Sequence, residues 1–147
     1  MKIDRPIFVI GAGRSGTTVL YNYLSLHPEV CWFSNYSDKL AGSKLPYPLI
    51  HKLLDLPLAG EILKKKITTK KRYFIRPSEG GYIYHHYSGF KHKIKSDEND
   101  FDHNVSERFR QEVKRHISYT GRRRFLNKQT ANTQRLRLLN KMFHDAL

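Results

Sequence analysis

The period of the apolar positions changes several times along the chain, and each change marks a predicted element. Ile7-Phe8-Val9-Ile10 is a continuous β-branched and aromatic run ending at glycine, the pattern of a short buried parallel strand. After a tight turn, Val19, Leu20, Tyr23, Leu24 and Leu26 form the apolar face of a helix that Pro28 stops. Val30-Cys31-Trp32-Phe33 reads as a second strand. Strand, loop, helix, strand is the opening of an α/β fold.

Further on, Leu49, Ile50, Leu53 and Leu54 have helical spacing, and Pro57 interrupts. Leu58–Ile67 predicts a short helix whose Lys64-Lys65-Lys66 complements the helix dipole and needs no ligand to explain it. Tyr73–Phe90 mixes Tyr82, Tyr84, Tyr87 and Phe90 with Gly80, Gly81 and Gly89, and predicts a loop with little regular structure. Lys95–Asn104 predicts an exposed connection. Val105, Phe109, Val113 and Ile117 recur every fourth residue, and Gly121 is placed to end that helix. Arg124-Phe125-Leu126-Asn127-Lys128 predicts a strand. Thr130 or Asn132 is the expected cap of a last helix, in which Leu136, Leu139 and Phe143 share a face. A helix in an α/β fold leads back into a parallel strand, and Ala146-Leu147 reads as the first step of one. Either the chain is a fragment or something else completes the fold, and the expectation is one domain over residues 1–147.

Composition narrows the partners. The 147 residues hold 27 Lys and Arg against 13 Asp and Glu, a formal net charge of +14. That excess calls for an anion: a nucleotide, a nucleic acid, a sulfated or phosphorylated glycan, or an anionic membrane. A solvated basic surface explains many individual charges equally well. Cys31 is the single cysteine, so no disulfide forms within the chain, and its apolar neighbours make it a packing residue. No apolar run reaches the length of a signal-peptide core or a transmembrane span, and the cytoplasm is the default expectation.

The chemistry concentrates in Gly11-Ala12-Gly13-Arg14-Ser15-Gly16-Thr17-Thr18. Glycines let a backbone turn tightly and converge its N–H groups, and the following helix N-terminus adds positive partial charge. Arg14 adds a planar cation, and Ser15, Thr17 and Thr18 add hydroxyl donors. Gly11, Gly13 and Gly16 match the dinucleotide pattern G-x-G-x-x-G, which wants an acidic residue roughly 20 positions on; Asp38 is the nearest, past the second strand. Gly11 and Gly16 also have nucleotide P-loop spacing. Thr17 stands where the lysine that reaches the β- and γ-phosphates belongs, which disfavours an NTPase.

The run Pro6–Thr18, continuing through Leu20, Leu24, His27-Pro28-Glu29 and Val30, closely resembles the 5′-phosphosulfate loop of sulfotransferases that use 3′-phosphoadenosine 5′-phosphosulfate (PAPS). Phe125-Leu126-Asn127-Lys128 with Asn132, Arg135, Leu139, Phe143 and Asp145-Ala146 resembles a later stretch of the same family. The resemblance implies a P-loop-like three-layer sandwich around a central parallel sheet, and PAPS as sulfuryl donor. It implies that Gly13, Arg14, Ser15, Gly16, Thr17 and Thr18 hold the donor's 5′-phosphosulfate, and that Lys128 stabilises the leaving oxygen. No metal is implied, because cations and N–H groups carry the charge. The acceptor is a hydroxyl on a small molecule or carbohydrate, with no nucleic acid expected. The family's grip on the donor's 3′-phosphate falls past Leu147, so the resemblance implies that residues 1–147 are the N-terminal portion of a single sulfotransferase-like domain, truncated at its C-terminal side.

Such a reaction needs a general base. Asn35 stands about where several branches of the family place a Glu, and an amide does not serve. The candidates are Glu79 first, then Asp38, then His85 or His86. Tyr82, Tyr84 and Trp32 are candidates for stacking on the acceptor, although Trp32 reads better as core. Two other readings stay open at this point. One is a basic nucleic-acid module built on Lys64–Arg72, Lys91–Lys95 and Arg122–Arg124; the other is an inactive fragment.

Overall fold

The computed structural model describes residues 3–67, 74–87, 99 and 101–147. Three strands, β1 (Ile7–Val9), β2 (Val30–Trp32) and β3 (Arg124–Lys128), form one parallel sheet in the order β1-β3-β2. The latest of the three strands in sequence is therefore the central one. Its register sets Ile7 beside Leu126 and Val9 beside Lys128 on one side, and Cys31 beside Phe125 on the other. Leu147 lies along the free edge of β1, donating its N–H to Pro6 O and accepting from Phe8 N, both at 2.9 Å.

Alternation along the strands divides the core in two. Phe8, Cys31 and Phe125 face one side, where α4 (Gly81–Tyr87), α5 (His103–Thr120) and α6 (Leu136–Met142) pack through Ile83, Tyr84, Phe109, Val113, Ile117, Leu138 and Leu139. Val9, Trp32 and Leu126 face the other side. There they meet Tyr21 of α1 (Thr17–Leu24), Leu54 of the 3₁₀ segment Tyr47–Asp55, and Ile75. Helices thus cover both faces of a small parallel sheet in a mixed α/β fold. The rings of Phe33, Phe109 and Phe125 are fully buried, each contributing about 2–3 kcal/mol of hydrophobic free energy.

Most predicted elements form where expected, with α3 at Pro57–Ile67 and Pro57 as its first residue. Gly121 ends α5 in the left-handed conformation. Four expectations need correction. Residues 81–87 are helical, because the Asp38 carboxylate, carried on α2 (Asn35–Lys39), accepts the N–H groups of Tyr82 and Ile83 at 2.8 and 3.2 Å. Val19, Leu20, Tyr23 and Leu24 are exposed, and α1 buries Tyr21 instead. Leu136 is exposed, while Leu139 and Phe143 are buried. Thr130 and Asn132 lie within a 3₁₀ segment, Thr130–Gln134, and no side chain caps α6. Of the connection expected over Lys95–Asn104, residues 95–98 and 100 lie outside the described residues, and His103 and Asn104 already belong to α5.

Candidate active site at the carboxyl ends of the strands

In open parallel sheets, ligands bind beyond the carboxyl ends of the strands. Here that edge carries the loop after β1, the end of β3 and the segment before α4.

The loop residues Ala12 through Gly16 and Thr18 are exposed. Gly16 sits at φ +80°, a left-handed turn that starts α1 with no side chain capping the helix and no acidic residue in its first turn. A helix start without an acidic neighbour or a competing side-chain acceptor suits an anion. Arg14 also has positive φ, 63°. A left-handed arginine costs on the order of 1 kcal/mol, and such local strain concentrates where a side chain is held for function. Arg14 forms no ion pair among the described residues. Ser15 Oγ donates to Ala12 O at 2.6 Å, folding its hydroxyl back onto the loop. The base of the loop is clipped from a distance: Gly11 N donates to Thr133 Oγ1, and Thr133 Oγ1 donates to Gly11 O, both at 3.2 Å.

Lys128 ends β3 on the face it shares with Leu126, level with Val9 just before the loop. Its side chain is 7% exposed, and Nζ donates to Glu79 Oε1 at 2.5 Å and to Thr130 Oγ1 at 3.3 Å. The Glu79 side chain is 49% exposed. Sequence reasoning named Glu79 and Lys128 from widely separated segments, and the fold brings them into contact.

Glu79 is placed by its backbone. Asn35 N donates to Arg76 O, Ser78 N donates to Phe33 O, and Pro77 forms an antiparallel bridge with Ser34, so the segment runs back along the end of β2. Asn35 fixes the same segment with its side chain, accepting from Arg76 N and donating to Phe74 O. Gly80 follows at φ +76°, and a Cβ there would lie 2.5 Å from the Phe33 ring, so only glycine turns the chain at this point. Asn127 Nδ2 then donates to Glu79 O at 3.2 Å, tying the segment to β3.

Of the remaining candidates, Asp38, Tyr84 and Trp32 serve the scaffold. Asp38 caps α4 and also accepts from Ser78 Oγ. Tyr84, considered for acceptor stacking, is buried and donates to Asn127 Oδ1 at 2.9 Å, while Asn132 Nδ2 donates to Tyr84 Oη at 3.0 Å. Trp32 is buried against His51, and Tyr82 is exposed. His85 and His86 lie on exposed positions of α4. Burial pushes the Cys31 thiol up to about 12, which makes it a packing group and not a nucleophile. The network of Tyr84, Asn127 and Asn132, with the Thr133 clip, is absent from the sequence reading. The one signal available was the pair of amides flanking Lys128.

A cavity of about 140 Å³ lies at the opposite end of β2, lined by Val30, Trp32, His51, Asp55, Lys64 and Arg122. Arg122 there donates to Asp55 and to Pro28 O, so its charge is matched within the wall, and the strand-end chemistry defines the site better than cavity size. Of the other basic runs, Arg123 pairs with Asp4, and residues 68–72 and 91–95 lie outside the described residues. Among the described residues no cluster of His, Cys, Asp or Glu is placed to hold a metal ion, and no helix is long and apolar enough to cross a membrane.

A glycine-turned, uncapped helix start thus lies at the same strand ends as a lysine paired with a carboxylate. The sulfotransferase family model matches residues 6–147, and the chain belongs to that family. Comparisons with curated proteins and with solved structures return no significant match.

Proposed function

We propose that the chain uses PAPS to sulfate a hydroxyl group, on a small molecule or a carbohydrate, within a P-loop-like three-layer fold. The observation that carries this reading is the contact of Glu79 with Lys128 beside an uncapped, glycine-turned helix start. Backbone N–H groups of Gly13–Thr18, including that of Ser15, with the Arg14 guanidinium and the Thr17 and Thr18 hydroxyls, hold the 5′-phosphosulfate. The acceptor oxygen attacks sulfur in line with the bridging oxygen. As the new O–S bond forms, the old S–O bond breaks, and its electron pair leaves on the 5′-phosphate, where Lys128 balances the charge. Glu79 takes the acceptor's hydroxyl proton. The products are a sulfate ester and adenosine 3′,5′-bisphosphate.

Transfer of radiolabelled sulfate from PAPS to a panel of sugars and simple alcohols tests the reading. The expected result is label on at least one acceptor, reduced about 100-fold or more by Lys128→Ala, with PAPS binding weakened by Arg14→Ala. Lack of PAPS binding by the wild-type chain would overturn it.

A further inference from the structure

Lys128 already has an anionic partner from within the chain. A buried ammonium without a counter-ion is costly, so this lysine holds an anion at all times. Two anions crowded on one ammonium repel each other, which favours displacement of the first by a second.

The two groups on Lys128 differ in mobility. Thr130 is its neighbour at the end of β3, and that contact is local. Glu79 comes from another segment and has a half-exposed side chain. Its main chain is pinned by Asn127 and by the turn at Gly80, whose Cβ position Phe33 blocks. The backbone therefore stays fixed while the side chain has open space to rotate into.

On the function proposed above, we infer that Glu79 is a placeholder anion on Lys128 that the donor's phosphosulfate displaces. Seating the donor breaks the Glu79–Lys128 pair and turns the carboxylate toward solvent, where the acceptor arrives. The base is thereby released only in a donor-loaded site, and binding is ordered, donor first. The protein supplies the anion that PAPS replaces, so Lys128 never has to shed an unpaired buried charge.

Titration calorimetry with PAPS, on the full chain and its variants, tests this. Glu79→Gln keeps the shape of the side chain and removes the competing charge. It is expected to bind PAPS about tenfold more tightly than wild type while losing sulfuryl transfer. Glu79→Asp, whose carboxylate falls short of Lys128, is expected to bind more tightly as well. In a Lys128→Ala background, Glu79→Gln is expected to bring no gain, since the competition runs through that ammonium. Thermal melts of each variant separate misfolding from a change in affinity. Unchanged or weaker PAPS binding by folded Glu79→Gln and Glu79→Asp overturns the inference and leaves the PAPS reading standing. No PAPS binding by wild type or variant overturns both.

Discussion

Replacing Asn127 by leucine probes the join between the core and the site. The residue is fully buried, and its amide is engaged at both ends. Oδ1 accepts from Tyr84 Oη at 2.9 Å and from Asn132 Nδ2 at 3.4 Å, and Nδ2 donates to Glu79 O at 3.2 Å. Leucine has the same branched heavy-atom skeleton with bulkier ends, and offers neither function. The Tyr84 hydroxyl then loses its acceptor in an enclosed setting, and Glu79 O loses a donor where water has partial access. A buried polar group left without its partner costs about 1–3 kcal/mol, and the part-exposed carbonyl costs less, so the expected destabilisation is about 2–4 kcal/mol. Urea denaturation of the wild type and of Asn127→Leu, followed by tryptophan fluorescence from the buried Trp32, measures it. In a Tyr84→Phe background the hydroxyl that donates to Asn127 is gone, and the same substitution is expected to cost less than in the wild type. A cost below about 1 kcal/mol in the wild-type background, or strict additivity of the two changes, would refute the argument that this network joins the core to the site.

His51 predicts a pH dependence. Burial lowers its imidazole from 6.5 to about 3, with the neighbouring His116 adding to the effect, so the folded chain keeps it neutral. The unfolded chain binds that proton near pH 6.5, so stability is full above this value and falls as pH drops toward 3, by about 3 kcal/mol at about pH 4.5. Urea midpoints across this range are expected to fall less steeply for His51→Gln than for the wild type; parallel curves would count against the assignment. Thr133→Val removes the clip on the loop's first glycine while keeping the side-chain shape, and is expected to raise the KM for PAPS several-fold with little change in melting temperature. An unchanged KM would show that the loop holds its form without the clip.

What was legible in the sequence follows from how local each cause is. The strands, the loop and α5 were readable because their signals lie in contiguous residues: a β-branched run before glycine, and apolar residues every fourth position closed by Gly121. The helix α4 was not readable. Its cap is a carboxylate from α2, far away in sequence, and a glycine-rich tyrosine and histidine stretch has no strong helical preference of its own. Periodicity identified an apolar face on α1 but carries no information about what covers it, and Tyr21 turned out to be the packed residue. Glu79 and Lys128 were each legible from residue type and context, and their contact was not. It depends on the bridge at Pro77, the turn at Gly80 and the register of β3.

The strand order has a consequence for how the molecule comes to exist. β1 and β2 are close in sequence, and the strand that belongs between them, Arg124–Lys128, is made much later. Until β3 inserts, both early strands present unpaired backbone edges and have no parallel partner. Closing so long a loop for so few ladder hydrogen bonds is entropically expensive, so sheet formation is expected to be the slow step of folding. The same step delivers Lys128 to Glu79. Until residues 124–128 dock, a growing chain has no assembled site, and its two early strands stay open to edge-to-edge aggregation.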